Sequence, residues 1–136
     1  MTCGNHITLL PYDEKWLDLV HRWINQPEVW VGTGSEGPVS DYAHHRWYKQ
    51  VTLDRSQRAF LIGQGQGKQS TPVGLIGLKR LESRSQSAEC WIYIGDLSAR
   101  RKGFAEEATR VILDYGFNVL NLHRVCLKVT RRILPQ

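Results

Sequence analysis

No apolar stretch in this 136-residue chain approaches the roughly 20 residues that span a bilayer, so no membrane helix is expected. Met1 to His6 carry neither the basic region nor the apolar core of a secretion signal. Cysteine is scarce, and Cys3, Cys90 and Cys126 form an odd set without metal-ligand spacing. Neither a disulfide framework nor a metal is expected. Cys90 and Cys126 fall in apolar runs and read as buried thiols, which points to a reducing cytoplasm. Repeats and low-complexity segments are missing too. So is a nucleotide P-loop: the glycine-rich run Gly32 to Pro38 lacks the closing Lys-Ser/Thr.

Long basic runs are also lacking, although the formal charge is +5. The tight clusters are Arg100-Arg101-Lys102 and Arg131-Arg132. A nucleic-acid surface more often presents a wider basic face with interleaved aromatics. One compact cluster fits a small phosphorylated ligand better. A hydrophobic content of 41% and a charged content of 23% are ordinary for a soluble chain, and the length suits a single domain over residues 1–136.

Periodicity orders that domain. Ile7 to Pro11 reads as a first strand, and Pro11 to Asn25 as an amphipathic helix with Trp16, Leu19, Val20, Trp23 and Ile24 inward. Pro27 sets a boundary. Ser40 is the expected N-cap of a second helix running to about Leu53. Three strands follow: Ala59 to Ile62, Val73 to Leu78, and Glu89 to Ile94. The glycines of the second suggest a bulge or close packing. Phe104, Ala108, Val111, Ile112, Tyr115 and Val119 then recur at helical spacing, and Val125 to Val129 close the series as a strand. The expected fold is a mixed α/β domain, β-α-α-β-β-β-α-β, with an antiparallel meander at its centre.

Between the third of these strands and the long helix lies Arg100-Arg101-Lys102-Gly103-Phe104-Ala105. A helix start offers free backbone N–H groups and a positive dipole end, and three cations stand beside it. That arrangement suits a diphosphate, and a side chain at Gly103 would hold the anion away from the backbone. The plainer reading is a solvated basic turn that caps a helix.

Arg100-x-x-Gly103-x-Ala105 resembles the acetyl-CoA pyrophosphate signature of the GNAT N-acetyltransferases. Ala88 to Gly95 is similar to the family's central strand, and Glu106-Glu107-Ala108 with Leu113 to Phe117 to the helix that follows. Trp23 to Val29 and Asn121 to Val125 resemble the branch that acetylates protein N-termini, amino sugars and aminoglycosides. The resemblance implies acetyl-CoA as co-substrate and attack on its thioester by a neutral primary amine. It places the cofactor on Ile92, Tyr93, Ile94, Arg100, Arg101, Lys102, Gly103, Phe104 and Ala105. It also implies that the last helix and two strands of the family are lacking here. An exposed edge at Val125 to Val129 would follow, and with it a homodimer joined through residues 124–134.

Glu89 is the expected general base: burial in an apolar strand disfavours a charged carboxyl. The competing reading pairs it with an arginine such as Arg80. Glu28 and Asp41 are the weaker alternatives for the base. Adjacent helical residues point apart, so His44 and His45 are not expected to share a metal ion. Most aromatics of the two first helices are expected in the core, while Trp30 and Tyr42 flank the glycine-rich loop and are chosen for the acceptor. Two other classes of function stay open at this point, a catalytically silent CoA-binding module and a basic nucleic-acid-binding domain.

Overall fold

The structure is a computed structural model that describes residues 2–3, 6–26, 38–65, 70–99 and 102–127. Strands β1 (Thr2–Cys3) and β2 (Ile7–Pro11) lead through a 3-10 turn (Glu14–Trp16) into α1 (Leu17–Ile24). Helix α2 (Asp41–Leu53), strands β3 (Arg58–Gln64), β4 (Thr71–Glu82) and β5 (Ser87–Ile94), helix α3 (Phe104–Asn118) and strand β6 (Arg124–Leu127) complete the order. Among the described residues the strands form one six-stranded sheet in sequential order. All neighbours are antiparallel except β5 and β6, which run parallel on either side of the α3 crossover.

Two layers cover this sheet, and side-chain alternation decides what each one touches. Ile7, Leu9, Ile62, Ile76, Leu78, Ala88 and Cys90 point to the face under α3, where Ala108, Val111 and Ile112 meet them. Leu61, Leu75, Trp91 and Tyr93 point to the other face, under α1 and α2. Opposite pairs such as Ile76 and Ile92, or Leu75 and Tyr93, share a face because the β4–β5 register places them side by side.

The elements deviate from the periodic reading in a few places, each with a local cause. Helix α1 starts at Leu17 and not near Pro11, since Pro11 stays in register with Phe60 and Asp13 is extended. Leu17, Val20 and Trp23 are its buried residues. Strand β4 runs on to Glu82 through a register shift beyond Lys79, where Arg80 adopts a left-handed φ of 54°. Ser40 caps α2 as expected, its hydroxyl accepting from the Ala43 N–H at 3.0 Å. Cys90 is buried, but Cys126 is exposed, contrary to the apolar-run reading. Among the described residues β6 is an edge strand, and one face of an edge strand can remain open to solvent even in an apolar sequence.

Candidate active site

The basic turn leaves β5 at its C-terminal end and enters α3. Arg100 and Arg101, expected there as phosphate ligands, lie outside the described residues, as does Trp30 of the acceptor pair. Lys102 and Gly103 are exposed. Gly103 is the N-cap of α3 with φ 80° and ψ 5°, a left-handed conformation that side-chain-bearing residues rarely adopt. A Cβ built at Gly103 would meet nothing within 4 Å, so the space above this helix start is open. Phe104 is buried in the core under α3.

The helix start is held in place by Glu107. Its carboxylate accepts from the backbone N–H groups of His6 at 2.6 Å and Ile7 at 3.0 Å, and its other oxygen lies 3.0 Å from His6 Nδ1. Desolvation pushes this carboxyl upward, but the donors of His6 and Ile7 outweigh it and hold the pKa below the ordinary glutamate value. The first turn of α3 is thereby tied to the start of β2.

Along β5, pairing with β6 covers Ser87 to Cys90. Among the described residues, Trp91, Ile92 and Tyr93 have strand partners on β4 only. Ile92, Tyr93 and Ile94 are half-buried and stand directly before the basic turn. Burial holds the Tyr93 phenol well above the ordinary tyrosine range, with Tyr12 adding to the effect.

Glu89 shares a face with Trp91 and Tyr93 but sits near the opposite end of β5 from the turn. Five residues separate it from Ile94, roughly 17 Å of strand. Its Oε1 lies 3.4 Å from Arg80 Nη1, and its Oε2 lies 4.0 Å from Lys79 Nζ. Tyr42 is 66% exposed near the start of α2, apart from the aromatic cluster that its neighbours enter. The structure thus brings Ile92 to Ile94 and Lys102 to Ala105 to one end of the sheet, and leaves Glu89 and Tyr42 elsewhere.

Sequence reasoning missed a polar network beneath the α1–α2 layer. His44 is 2% exposed and shares a hydrogen bond with the Tyr12 hydroxyl at 2.9 Å. Its ring stacks between His21 (5.5 Å) and Trp47 (5.9 Å). Burial, with His21 and His45 nearby and only Asp41 opposing, pulls the His44 pKa down to about 4. The one available signal was an inward-facing histidine on an otherwise aromatic stripe. No group of three or more potential metal ligands occurs among the described residues. A cleft of about 400 Å³, bordered by Val51, Arg55, Arg58, Phe60 and Tyr115, contains none of the candidate catalytic, cofactor or acceptor residues.

The acetyltransferase (GNAT) domain family matches residues 6–132. The chain therefore belongs to the GNAT family and is an N-acetyltransferase. An N-acetyltransferase 9-like protein of Nematostella vectensis is 25% identical over 134 residues, covering 93% of this chain and 67% of that protein. Spermidine N(1)-acetyltransferase of Vibrio cholerae is 33% identical over 127 residues, covering 93% of this chain and 70% of that protein. The crystal structure of the Vibrio enzyme in complex with CoA and spermine superposes with a TM-score of 0.83 at 27% identity, covering 93% of this chain and 72% of that one. The same enzyme has been solved as a dodecamer, which matches with a TM-score of 0.71 at 26% identity, covering 91% and 70%. Among the described residues no helix is long and apolar enough to cross a membrane.

Proposed function

We propose that the chain transfers an acetyl group from acetyl-CoA to a primary amine, with the diphosphate on the turn from Arg100 to Ala105. The observation that carries this reading is Gly103, left-handed at the N-cap of α3 beneath open space. Backbone N–H groups at a helix start, with Lys102 beside them, form a cradle for phosphate oxygens. The pantetheine arm would lie along Ile92 to Ile94, where its amides add to the β5 edge by main-chain hydrogen bonds. A backbone N–H near Ile92 or Tyr93 would then meet the developing oxyanion. The amine attacks the thioester carbonyl carbon, the tetrahedral intermediate collapses, and CoA leaves as thiolate.

The protein's part in this chemistry is chiefly to align the two partners and to accept a proton from the amine. Glu89 is the proposed base. Its support is its place on the Trp91–Tyr93 face of β5, and its ion pairs with Arg80 and Lys79 compete with that role. Tyr42 and Trp30 are proposed acceptor contacts. The complexed Vibrio relative supports a polyamine as the first acceptor to try. That relative's dodecamer supports self-association, a homodimer being the smallest form. The buried, unpaired Cys90 is in keeping with a reducing cytoplasm.

Calorimetry with acetyl-CoA tests the cradle. Gly103→Asn adds a side chain that tolerates a positive φ, so it obstructs the open space with little backbone strain. Affinity should fall about tenfold or more. Unchanged affinity would place the diphosphate elsewhere. Thiol release from acetyl-CoA with spermidine, spermine and N-terminal peptides then reads turnover. Binding without release on any amine identifies a silent CoA-binding module. In the active case, Glu89→Gln should lower kcat roughly 100-fold and leave acetyl-CoA binding unchanged.

A further inference from the structure

Gly95 is the first residue after β5, and it is buried. Its φ is not positive, in contrast to Gly103, so backbone conformation does not require a glycine there. Space does. A Cβ at Gly95 would collide with Cβ, Cγ and Cδ2 of Trp23, so the indole lies against the backbone of the turn. Trp23 is itself 5% exposed, in the last turn of α1.

The other contacts of the turn are rigid. The N–H groups of Gly95 and Asp96 both donate to the Val73 carbonyl, at 2.9 and 3.0 Å. Asp96 Oδ1 accepts from the N–H and hydroxyl of Ser98 at 3.0 and 2.7 Å. Ala99 and Phe104 anchor the far end of the turn in the core under α3. The start of the turn is therefore held between a β4 carbonyl and an indole from α1. That helix end is clamped in turn. Asn25 Oδ1 accepts from the Val39 N–H at 2.6 Å, its Nδ2 donates to the Val39 carbonyl at 3.1 Å, and His21 Nε2 reaches the same carbonyl at 2.7 Å.

We infer that Trp23 is a positioning residue for acetyl transfer: seated on Gly95, it fixes the start of the cofactor turn relative to the acceptor-side layer. The inference rests on the acetyl-CoA reading of that turn. The indole acts through the backbone. It sets where the edge of β5 ends and where the chain towards Gly103 begins, and a displacement of about 1 Å at such a point can cost 100-fold in rate. Trp91 fills the equivalent space over Gly77, on the sheet itself.

The test compares Trp23→Leu and Trp23→Phe with Leu17→Ala, a buried residue of the same cluster at the other end of α1. Dissociation constants for acetyl-CoA, KM, kcat and Tm are measured for each variant. Trp23→Leu should weaken acetyl-CoA binding and raise its KM by about tenfold or more. Trp23→Phe, which keeps a ring over Gly95, should recover most of that affinity. Leu17→Ala should lower Tm and leave the dissociation constant within about twofold of the parent. Equal affinity loss in Leu17→Ala would reduce Trp23 to a packing residue and overturn the inference. So would unaltered binding in Trp23→Leu or, should that variant not fold, in Gly95→Ala, whose Cβ would displace the indole from the turn. Failure of the parent protein to bind acetyl-CoA overturns the cofactor reading and the positioning role together. Parent binding with indifferent variants overturns the positioning role alone.

Discussion

The two faces of the sheet are built from different chemistry. Under α3 the core is mainly aliphatic: Ile7, Leu9, Ile62, Ile76, Leu78, Ala108 and Ile112, with Cys90 and Phe104 among them. Under α1 and α2 it is aromatic and carries polar tips: Tyr12, Trp23, Trp47, Tyr48, Trp91 and Tyr93, with His44 buried in their midst. An aliphatic face is held by close packing alone and has no polar group to satisfy. An aromatic face buries large rings but must also find partners for each hydroxyl and imidazole. The first holds the start of α3, where the cofactor cradle is proposed. The second borders the side from which the acceptor is proposed to approach, and it buries an imidazole whose pKa is pulled well down.

That contrast is most directly tested by removing one group from each face. Ile112 is fully buried, and Ile112→Ala should cost about 2–5 kcal/mol. Tm would drop on the order of 10 °C in thermal unfolding. Tyr12→Phe changes no apolar volume but takes away the hydroxyl bonded to His44 Nε2. A buried imidazole left without that partner should cost about 1–3 kcal/mol. The comparison fails should Tyr12→Phe prove neutral, because the aromatic face would then be held by ring packing alone.

The response to pH separates the faces further. His44 is ordinarily a group of pKa 6.5, and in the fold it is pulled down to about 4. As pH falls below 6.5 the unfolded chain takes up a proton at this residue and the folded chain does not, so stability falls with pH. The loss is complete only below about pH 4, where both states become protonated, and a depression of this size corresponds to at most about 3 kcal/mol. Glu107 adds a loss of the same sign at lower pH, below its ordinary value of 4.5, because its folded pKa is depressed. Denaturant unfolding of the parent and of His44→Gln between pH 4 and 7 resolves the two. The parent's slope through pH 5 to 6 should flatten in the variant. An equal slope in both would assign the acid sensitivity to other groups.

The unequal legibility of these features has physical causes. Periodicity located the longer elements because each buries one face, and Ser40 announced α2 through its capping hydroxyl. The two-residue strand β1 has too few residues for any period to show. The extension of β4 beyond Leu78 was hidden because Lys79 and Arg80 are polar and the strand shifts register there. At the cofactor turn, Gly103 could be read from its neighbours along the chain, since a helix N-cap is a local event. Gly95 could not. A glycine signals close approach, but the approaching group, Trp23, comes from a distant helix, and no local rule names it. The same holds for His44, whose partner Tyr12 lies on another element.

The smallest expected effect concerns thiol reactivity, and it sets the α3 face against the edge of the same sheet. Cys90 is 1% exposed, and burial pushes its thiol up to about 11, so little thiolate exists near neutrality and no reagent reaches it. Cys126, paired with Glu89 across the β5–β6 ladder, is exposed. A Cys3→Ser background leaves these two thiols alone. An aromatic disulfide reagent at pH 8 should titrate one thiol in the native protein and the second only with global unfolding. Protection of Cys126 that disappears on dilution would mean that the β6 edge is covered by a second copy, in line with the proposed self-association. Rapid reaction of both thiols in the native state would mean that the aliphatic face opens locally. The close packing that distinguishes it from the aromatic face would then not hold at β5.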